Sequence, residues 1–317
     1  MNFGMILEMF PIALMFGAPI VMAALGGLFS ERSGVTNIAL EGIMMIGAFA
    51  GASVTVVLEP ITAMAPWLGL LTGVAAGMLF SLLHAFTSIH LKADQIISGT
   101  ALNILAGGLT IYLCQILFHQ QRTRAFSYGL RKVTVPLLSK IPVIGPMLFY
   151  EMYPTFYVAI VLVVVTWFVV FKTPFGLRLR SCGEHPQAAA SMGINVYSMR
   201  YAGVIASGAL AGLAGATMVL TQDIQYTVTS IHGTGFIALA SLVFGKWNPW
   251  GVLGAGMFFG FSQTLSYYAK DIKILASLPL EVFYALPYVL TIAALVVFAG
   301  KSVGPKANGE IYDQGKR

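Results

Sequence analysis

"TNIALEGIMMIGAF", residues 36–49, is a run suited to lipid with one carboxylate inside it, Glu41. An asparagine, Asn37, stands one helical turn earlier. The stretch reads as the start of a membrane-spanning helix. An ionisable side chain inside such a span costs roughly 3 kcal/mol on insertion scales, so Glu41 is a functional candidate that should face a bundle interior or a wet cavity. Two roles stand open. Glu41 is a polar group on a translocation path, or it is a strut that hydrogen-bonds unwound backbone beside Gly42.

The rest of the chain asks for the same solvent. Its 317 residues are 57% hydrophobic and 9% charged, where a soluble domain carries about 25% charged residues. Mean hydropathy is +0.82. Too little polar surface exists to cover a water-excluding core, so the chain reads as a polytopic membrane protein. A span needs about 20 apolar residues. Candidates lie near 9–29, 35–58, 64–90, 95–118, 153–171, 200–221, 250–269 and 280–299, with a shorter apolar piece at 234–245 that is either a short ninth span or a re-entrant segment. All should be helical, because lipid offers the backbone no other partner. The predicted fold is all-α: one transmembrane domain over 1–317, a bundle of about 8–10 spans. "GALAGLAGA" (208–216) suits close helix contact, and Pro11, Pro19, Pro279 and Pro287 suggest kinks or span starts.

An internal echo adds detail. "GVTNIAL" (34–40) and "GTGFIAL" (233–239) share Gly and Ile-Ala-Leu at the same offset. Coincidence is the competing reading in so apolar a chain. Taken as meaningful, the pair predicts two pseudo-symmetric halves with interrupted helices and a transport site near the midplane.

The net charge of +6 is carried in short connections between apolar runs, an inner-membrane pattern that sets nucleic-acid binding aside. With the loop 172–199 and the basic tail 301–317 in the cytoplasm and nine segments crossing, eleven of the eighteen Lys and Arg fall inside. This predicts an outer N-terminus and a cytoplasmic C-terminus. The first ten residues lack a basic region, so the first span is expected to stay in the mature protein. The tail is expected to be mobile.

Enzyme chemistry finds no footing. Cys114 and Cys182 have neither pairing nor metal spacing, and the five histidines are scattered. "AGKS" (299–302) lacks the earlier glycine of a phosphate loop, since Leu295 stands there. No cofactor or metal is expected, and any energy must come from another chain or an ion gradient. Asn103 in "GTALNILAGG" (99–108) is a second buried polar group, with helix-to-helix hydrogen bonding as its simplest role. Thr234, together with Gln222, Asp223 and Gln225, could line an outer vestibule.

The loop "KTPFGLRLRSCGEHPQAAASMGINVYSMR" (172–200) is the most informative connection. Glu184 and Pro186 open a short helix, Ala188, Ala189 and Ala190 favour it, and Gly193 can end it in a left-handed cap. A small smooth helix on a polar loop suits docking to a partner.

The spacing Gly-x-x-x-Arg-Ser-x-Gly-x-x-x-x-Ala-Ala-x-x-x-Gly-Ile, from Gly176 to Ile194, resembles the coupling-helix loop of bacterial ABC importer permeases of the branched-chain amino acid, ribose and nucleoside branch. "SGVTNIALEGIMMIGAF" (33–49), "ADQIISGTALNILAGGLT" (93–110) and "GFIALASLVFGKWNPWGVLGAGMFFG" (235–260) look most like the nucleoside and simple-sugar permeases. The resemblance covers roughly residues 10 to 300. It implies a bacterial cell-membrane permease without its own ATPase. Its implied partners are an ATP-binding subunit that carries the ATP, a second homologous permease giving a heterodimer, and an extracytoplasmic solute-binding protein. Asn37, Glu41, Asn103 and Thr234 would line the substrate path. Glu184, Pro186, Ala188, Ala189, Ala190 and Gly193 would couple to the ATPase. Simple sugars or branched-chain amino acids are the alternative solutes. An ion-coupled secondary transporter using Glu41 is the alternative class.

Overall fold

The computed structural model describes residues 3–142, 144–268, 304–313 and 315, together with Val282, Ala285, Val289, Ile292 and Ala293. Apart from those five residues, the candidate span at 280–299 lies outside the described residues, as do Pro279, Pro287 and "AGKS". The described chain is helical: α1 Phe3–Arg32, α2 Leu40–Leu58, α3 Ala65–Ala85, α4 Gln95–Phe118, α5 Ile144–Leu148, α6 Pro154–Lys172, α7 Pro174–Glu184, α8 Pro186–Ser191, α9 Val196–Gln222, α10 Thr234–Phe244 and α11 Pro249–Tyr268. Strand-type bridging is confined, among the described residues, to the isolated pairs Arg122–Thr227 and Val133–Met152. Among the described residues, six helices are long and apolar enough to cross a membrane: Met9–Arg32, Leu40–Leu58, Ala65–His90, Gln95–Phe118, Pro154–Lys172 and Val196–Gln222. The chain is therefore a polytopic helix bundle. α1 runs through Pro11 and Pro19 without interruption.

Local chemistry sets the helix ends. Asp94 caps α4 by accepting from the N–H groups of Ile96 and Ile97, and Asn195 caps α9 by accepting from Ser198. α6, α7 and α8 each begin with proline, whose missing N–H costs nothing at that position.

Small residues set the core. α9 crosses α2 and α3 where Gly47, Gly73, Gly77, Gly208 and Gly212 bring backbones into direct contact, and a Cβ at Gly212 would collide with the carbonyl of Gly73. In a bundle without a hydrophobic driving force between helices, such close approach supplies the packing. α1, α2 and α9 form the enclosed centre, while α3, α4 and α6 turn Leu71, Leu79, Ile104 and Phe168 outward.

Connections converge at two ends. Arg32 reaches the carbonyl of Trp247 (3.0 Å), the Trp247 indole donates to Glu31 (2.6 Å), and Lys92 pairs with Asp313 (3.0 Å). This basic end gathers the links after α1, α3, α6 and α10. At the far end Glu59 accepts from Ser127 N–H (2.8 Å), and Phe126 and Thr123 donate to the carbonyls of Ile224 and Tyr226.

α10 resolves the short apolar piece at 234–245. Eleven residues rise about 16 Å, half of a hydrocarbon core about 30 Å thick. α10 ends beside Trp247 at the basic end, so its first turn lies midway through the bundle. Residues 223–233 return from the far end of α9 to that midpoint. The described tail also departs from expectation. Residues 304–313 pack against the basic end, with Ala307 and Tyr312 buried.

Candidate functional site

Between α1 and α2 the chain unwinds at residues 33–39, with Gly34 at φ +91°. Glu41 lies in the first turn of α2, 5% exposed. Its carboxylate accepts from the N–H of Gly233 (2.8 Å) and the N–H of Gly235 (2.7 Å). These are the cap and the second residue of α10. Gly233, at φ +79°, has no side chain with which to cap its own helix, so α2 supplies the cap. A negative group at a helix N-terminus stabilises it by about 0.3–1 kcal/mol, and up to ~2 kcal/mol when partly buried. Gly235 makes the approach possible, because a Cβ there would lie 2.6 Å from Cα and N of Glu41. Glu41 hydrogen-bonds backbone as a strut would, at Gly233 and Gly235 rather than beside Gly42, and it sits at the midpoint where a transport site is expected.

Asn37 and Asn103 hold the same break from other sides. The Asn37 amide oxygen accepts from Ala39 N–H (3.1 Å), and its amide nitrogen donates to Ser207 of α9 (2.8 Å). Asn103 of α4 accepts from Gly42 N–H (2.7 Å) and donates to the carbonyl of Ile38 (2.9 Å). Thr36 N–H donates to Gln95 (2.7 Å), and a ring nitrogen of His84 lies 3.0 Å from the Thr36 carbonyl. Unwound backbone at membrane depth is tolerated only where such partners exist. Thr234 is buried in the first turn of α10. All four candidates for the substrate path therefore gather where the two interrupted segments meet.

The descending segment 223–233 adds Tyr226 and His232 to the Asp223 already named from the sequence. The Tyr226 hydroxyl donates to Thr110 (2.9 Å), and its ring meets Phe49 edge-on at 5.9 Å. The Asp223 carboxylate accepts a hydrogen bond from Ser230 and lies near His232. His232 also lies within electrostatic reach of Glu41. It is exposed, at φ +50°. The sequence signal for it was its place beside the glycines that open α10.

At the basic end the predicted short helix is present as α8, preceded by α7, and Gly193 takes the left-handed conformation at φ +80°. Its orientation differs from the docking face expected. Pro186 and Ala189 are buried, and Ala189 packs with Cys182, Val196 and Tyr312. Gln187, Ala188, Ser191 and Met192 face outward, Met192 at 83% exposure. Positions three apart share a helix face, so Pro186 and Ala189 turn inward together. Ala190 is half-buried. Glu184 is an anchor: it lies 3.9 Å from Arg32 and receives Lys306 N–H at 3.5 Å. Burial pushes the Cys182 thiol up, opposed by Arg200 and Ser181.

Comparison with known proteins gives one family and several relatives. Residues 10–295 match the family described as branched-chain amino acid transport system / permease component. The chain is 48% identical to the guanosine ABC transporter permease protein NupQ of Bacillus subtilis (strain 168), over 97% of each chain. It is 44% identical to the nucleoside ABC transporter permease protein NupC of Lactococcus lactis subsp. cremoris (strain MG1363), over 96% of each. It is 34% identical to the putative glucose ABC transporter permease protein TsgC13 of Haloferax volcanii, over 80% of this chain and 75% of that one.

Proposed function

We propose that this chain, which belongs to the branched-chain amino acid transport system permease family, is the membrane-spanning permease subunit of an ATP-driven importer that carries nucleosides. NupQ and NupC, whose names specify guanosine and nucleosides, are similar to it along almost its whole length. One structural observation carries the choice of solute: Glu41 occupies the N-terminus of α10. A free half-helix N-terminus at the midplane suits an anionic group such as an amino acid carboxylate. Here that position is already filled by a carboxylate of the protein. That removes this helix N-terminus as a site for an anionic solute and favours a neutral one.

Each part of the chain then has a task. α2 and α10 begin at the break, and Glu41 makes the two starts move together. Asn37 and Asn103 tie that unit to α9 and α4. The outward face of α8 receives an ATP-binding subunit, which hydrolyses ATP and needs no nucleotide site in this chain. The basic end faces the cytoplasm, in line with the bias of positive charge. The far end, with loop 119–152, meets a solute-binding protein. A second, homologous permease covers α4, the least enclosed of the spans, and completes the path. Transport follows from differential affinity of the two open states, with no covalent step.

Uptake of labelled guanosine by cells with and without the gene tests this reading. Loss on deletion is expected, with competition by adenosine and none by leucine. Uptake unchanged by deletion would overturn it.

A further inference from the structure

Residues 304–313 cross the basic end as a strap. Gly304 lies against the Trp247 ring, where a Cβ would come within 2.9 Å. Ala307 N–H donates to the Gly183 carbonyl (2.9 Å), just before α7 gives way to α8. Asn308 accepts from the Thr36 hydroxyl (3.1 Å) and hydrogen-bonds Glu31. The carbonyl of Glu310 accepts from Arg200 (2.8 Å), and the Arg200 guanidinium lies over the Tyr312 ring at 5.9 Å. Tyr312 meets Tyr197 edge-on at 5.3 Å, and Asp313 pairs with Lys92.

Two of these contacts matter together. Gly183 and Glu184 belong to the loop that carries α8. Thr36 is the residue before Asn37, in the unwound segment that leads to Glu41. The end of α7 already packs on that segment, with Gly183 against the Arg32 carbonyl. The strap closes over this contact and bonds to both sides. It also reaches the docking surface: Tyr312 walls a hollow of ≈ 270 Å³ whose other side is Ala190, Gly193, Ile194 and Asn195. Arg200, 1% exposed, finds its acceptor in the strap, and a buried guanidinium without a partner is costly.

We propose that segment 304–313 links movement of the α8 loop to the break at 33–41, with Asn308 and Tyr312 as positioning residues for transport. The inference rests on the permease reading above. Asn308 fastens the strap to the break, and Tyr312 fastens it to the base of α9 beside the docking face. Movement of α8 by the ATPase therefore reaches the start of α2 through bonded groups on two routes.

The test uses the whole complex in proteoliposomes, with ATP hydrolysis and labelled guanosine uptake measured in the same vesicles. Asn308→Ala, Tyr312→Ala and a chain ending at Val303 are compared with the unaltered protein. The two point variants should assemble and hydrolyse ATP while guanosine moved per ATP falls about fivefold or more. Tyr312→Phe, which keeps the ring contacts, should restore the ratio. An unchanged ratio in both point variants would overturn the proposal, whatever the truncation does. If the unaltered complex moves no guanosine, the proposed solute fails instead. The link is then read from the stimulation of ATP hydrolysis by the binding protein, which both point variants should lose.

Discussion

Glu41 and Gly235 meet at 2.7 Å, carboxylate oxygen to backbone N–H, across 194 residues of sequence. This bond and its companion to Gly233 join the two interrupted segments. Hydrogen bonds to a charged group contribute about 1.5–3 kcal/mol each. Glu41→Ala should therefore abolish most uptake at equal membrane abundance. Glu41→Gln keeps one acceptor oxygen but turns an amide NH2 towards an N–H, so it should retain partial uptake. Full activity in Glu41→Ala would remove the strut from the account. Uptake by Glu41→Gln as weak as that of Glu41→Ala would point to a charge requirement and revive the ion-coupled reading.

Gly235→Ala tests the same junction from the other side. The added Cβ meets backbone atoms of Glu41 at 2.6 Å, which no side-chain rotation can relieve. We expect a loss of uptake comparable to Glu41→Ala. Normal uptake and normal thermal stability in detergent would contradict the close packing described.

Asn103→Leu removes the acceptor for Gly42 N–H and the donor to Ile38, with little change in volume. Leaving such groups unpaired costs about 1–3 kcal/mol. The variant should melt at a lower temperature than the unaltered protein. An unchanged melting temperature would mean that other groups satisfy the break.

The outward and inward faces of α8 should respond differently to charge. Ala188→Arg and Met192→Arg place a cation on the exposed face, so the ATP-binding subunit should be lost on purification while the permease remains folded. Ala189→Arg forces a cation among Cys182, Val196 and Tyr312, so it should disturb the permease itself. Equal retention of the ATPase by all three would argue against docking at this face.

Cys182 reports on the strap. It is buried and its thiol is raised by burial. The reactive form is the thiolate, so labelling should be slow near neutral pH and rise only as pH passes above the ordinary cysteine range. In a Cys114→Ser background, the chain ending at Val303 should label faster and at lower pH. Identical profiles would mean that the strap does not shield Cys182.

Some of this was legible in the sequence, and the reason is physical. Lipid leaves the backbone no choice but helix, so apolar length alone places α2, α4, α6 and α9 within a few residues. The two Ile-Ala-Leu segments fall near the break, but Ile38 and Ala39 are unwound before α2 whereas Ile237, Ala238 and Leu239 are already inside α10, so the echo does not mark equivalent positions. The partner of Glu41 was not legible, since its bonds go to backbone N–H groups, which carry no sequence signature. The orientation of α8 was hidden by its run of alanines, which has no polar side to set against an apolar one. The strap reads as mobile because it is short, basic and Gly-containing. It holds through backbone groups, Asn308 and one tyrosine, none of which composition reveals.

The central claim is that the break held by Glu41 passes a neutral nucleoside. Uptake of labelled guanosine in cells with and without the gene tests it most directly, with unlabelled adenosine, ribose, leucine and guanosine monophosphate as competitors. The account predicts that deletion removes uptake and that adenosine alone among the competitors displaces the label. Uptake that survives deletion, or that the monophosphate or leucine displaces as well as adenosine does, would contradict it.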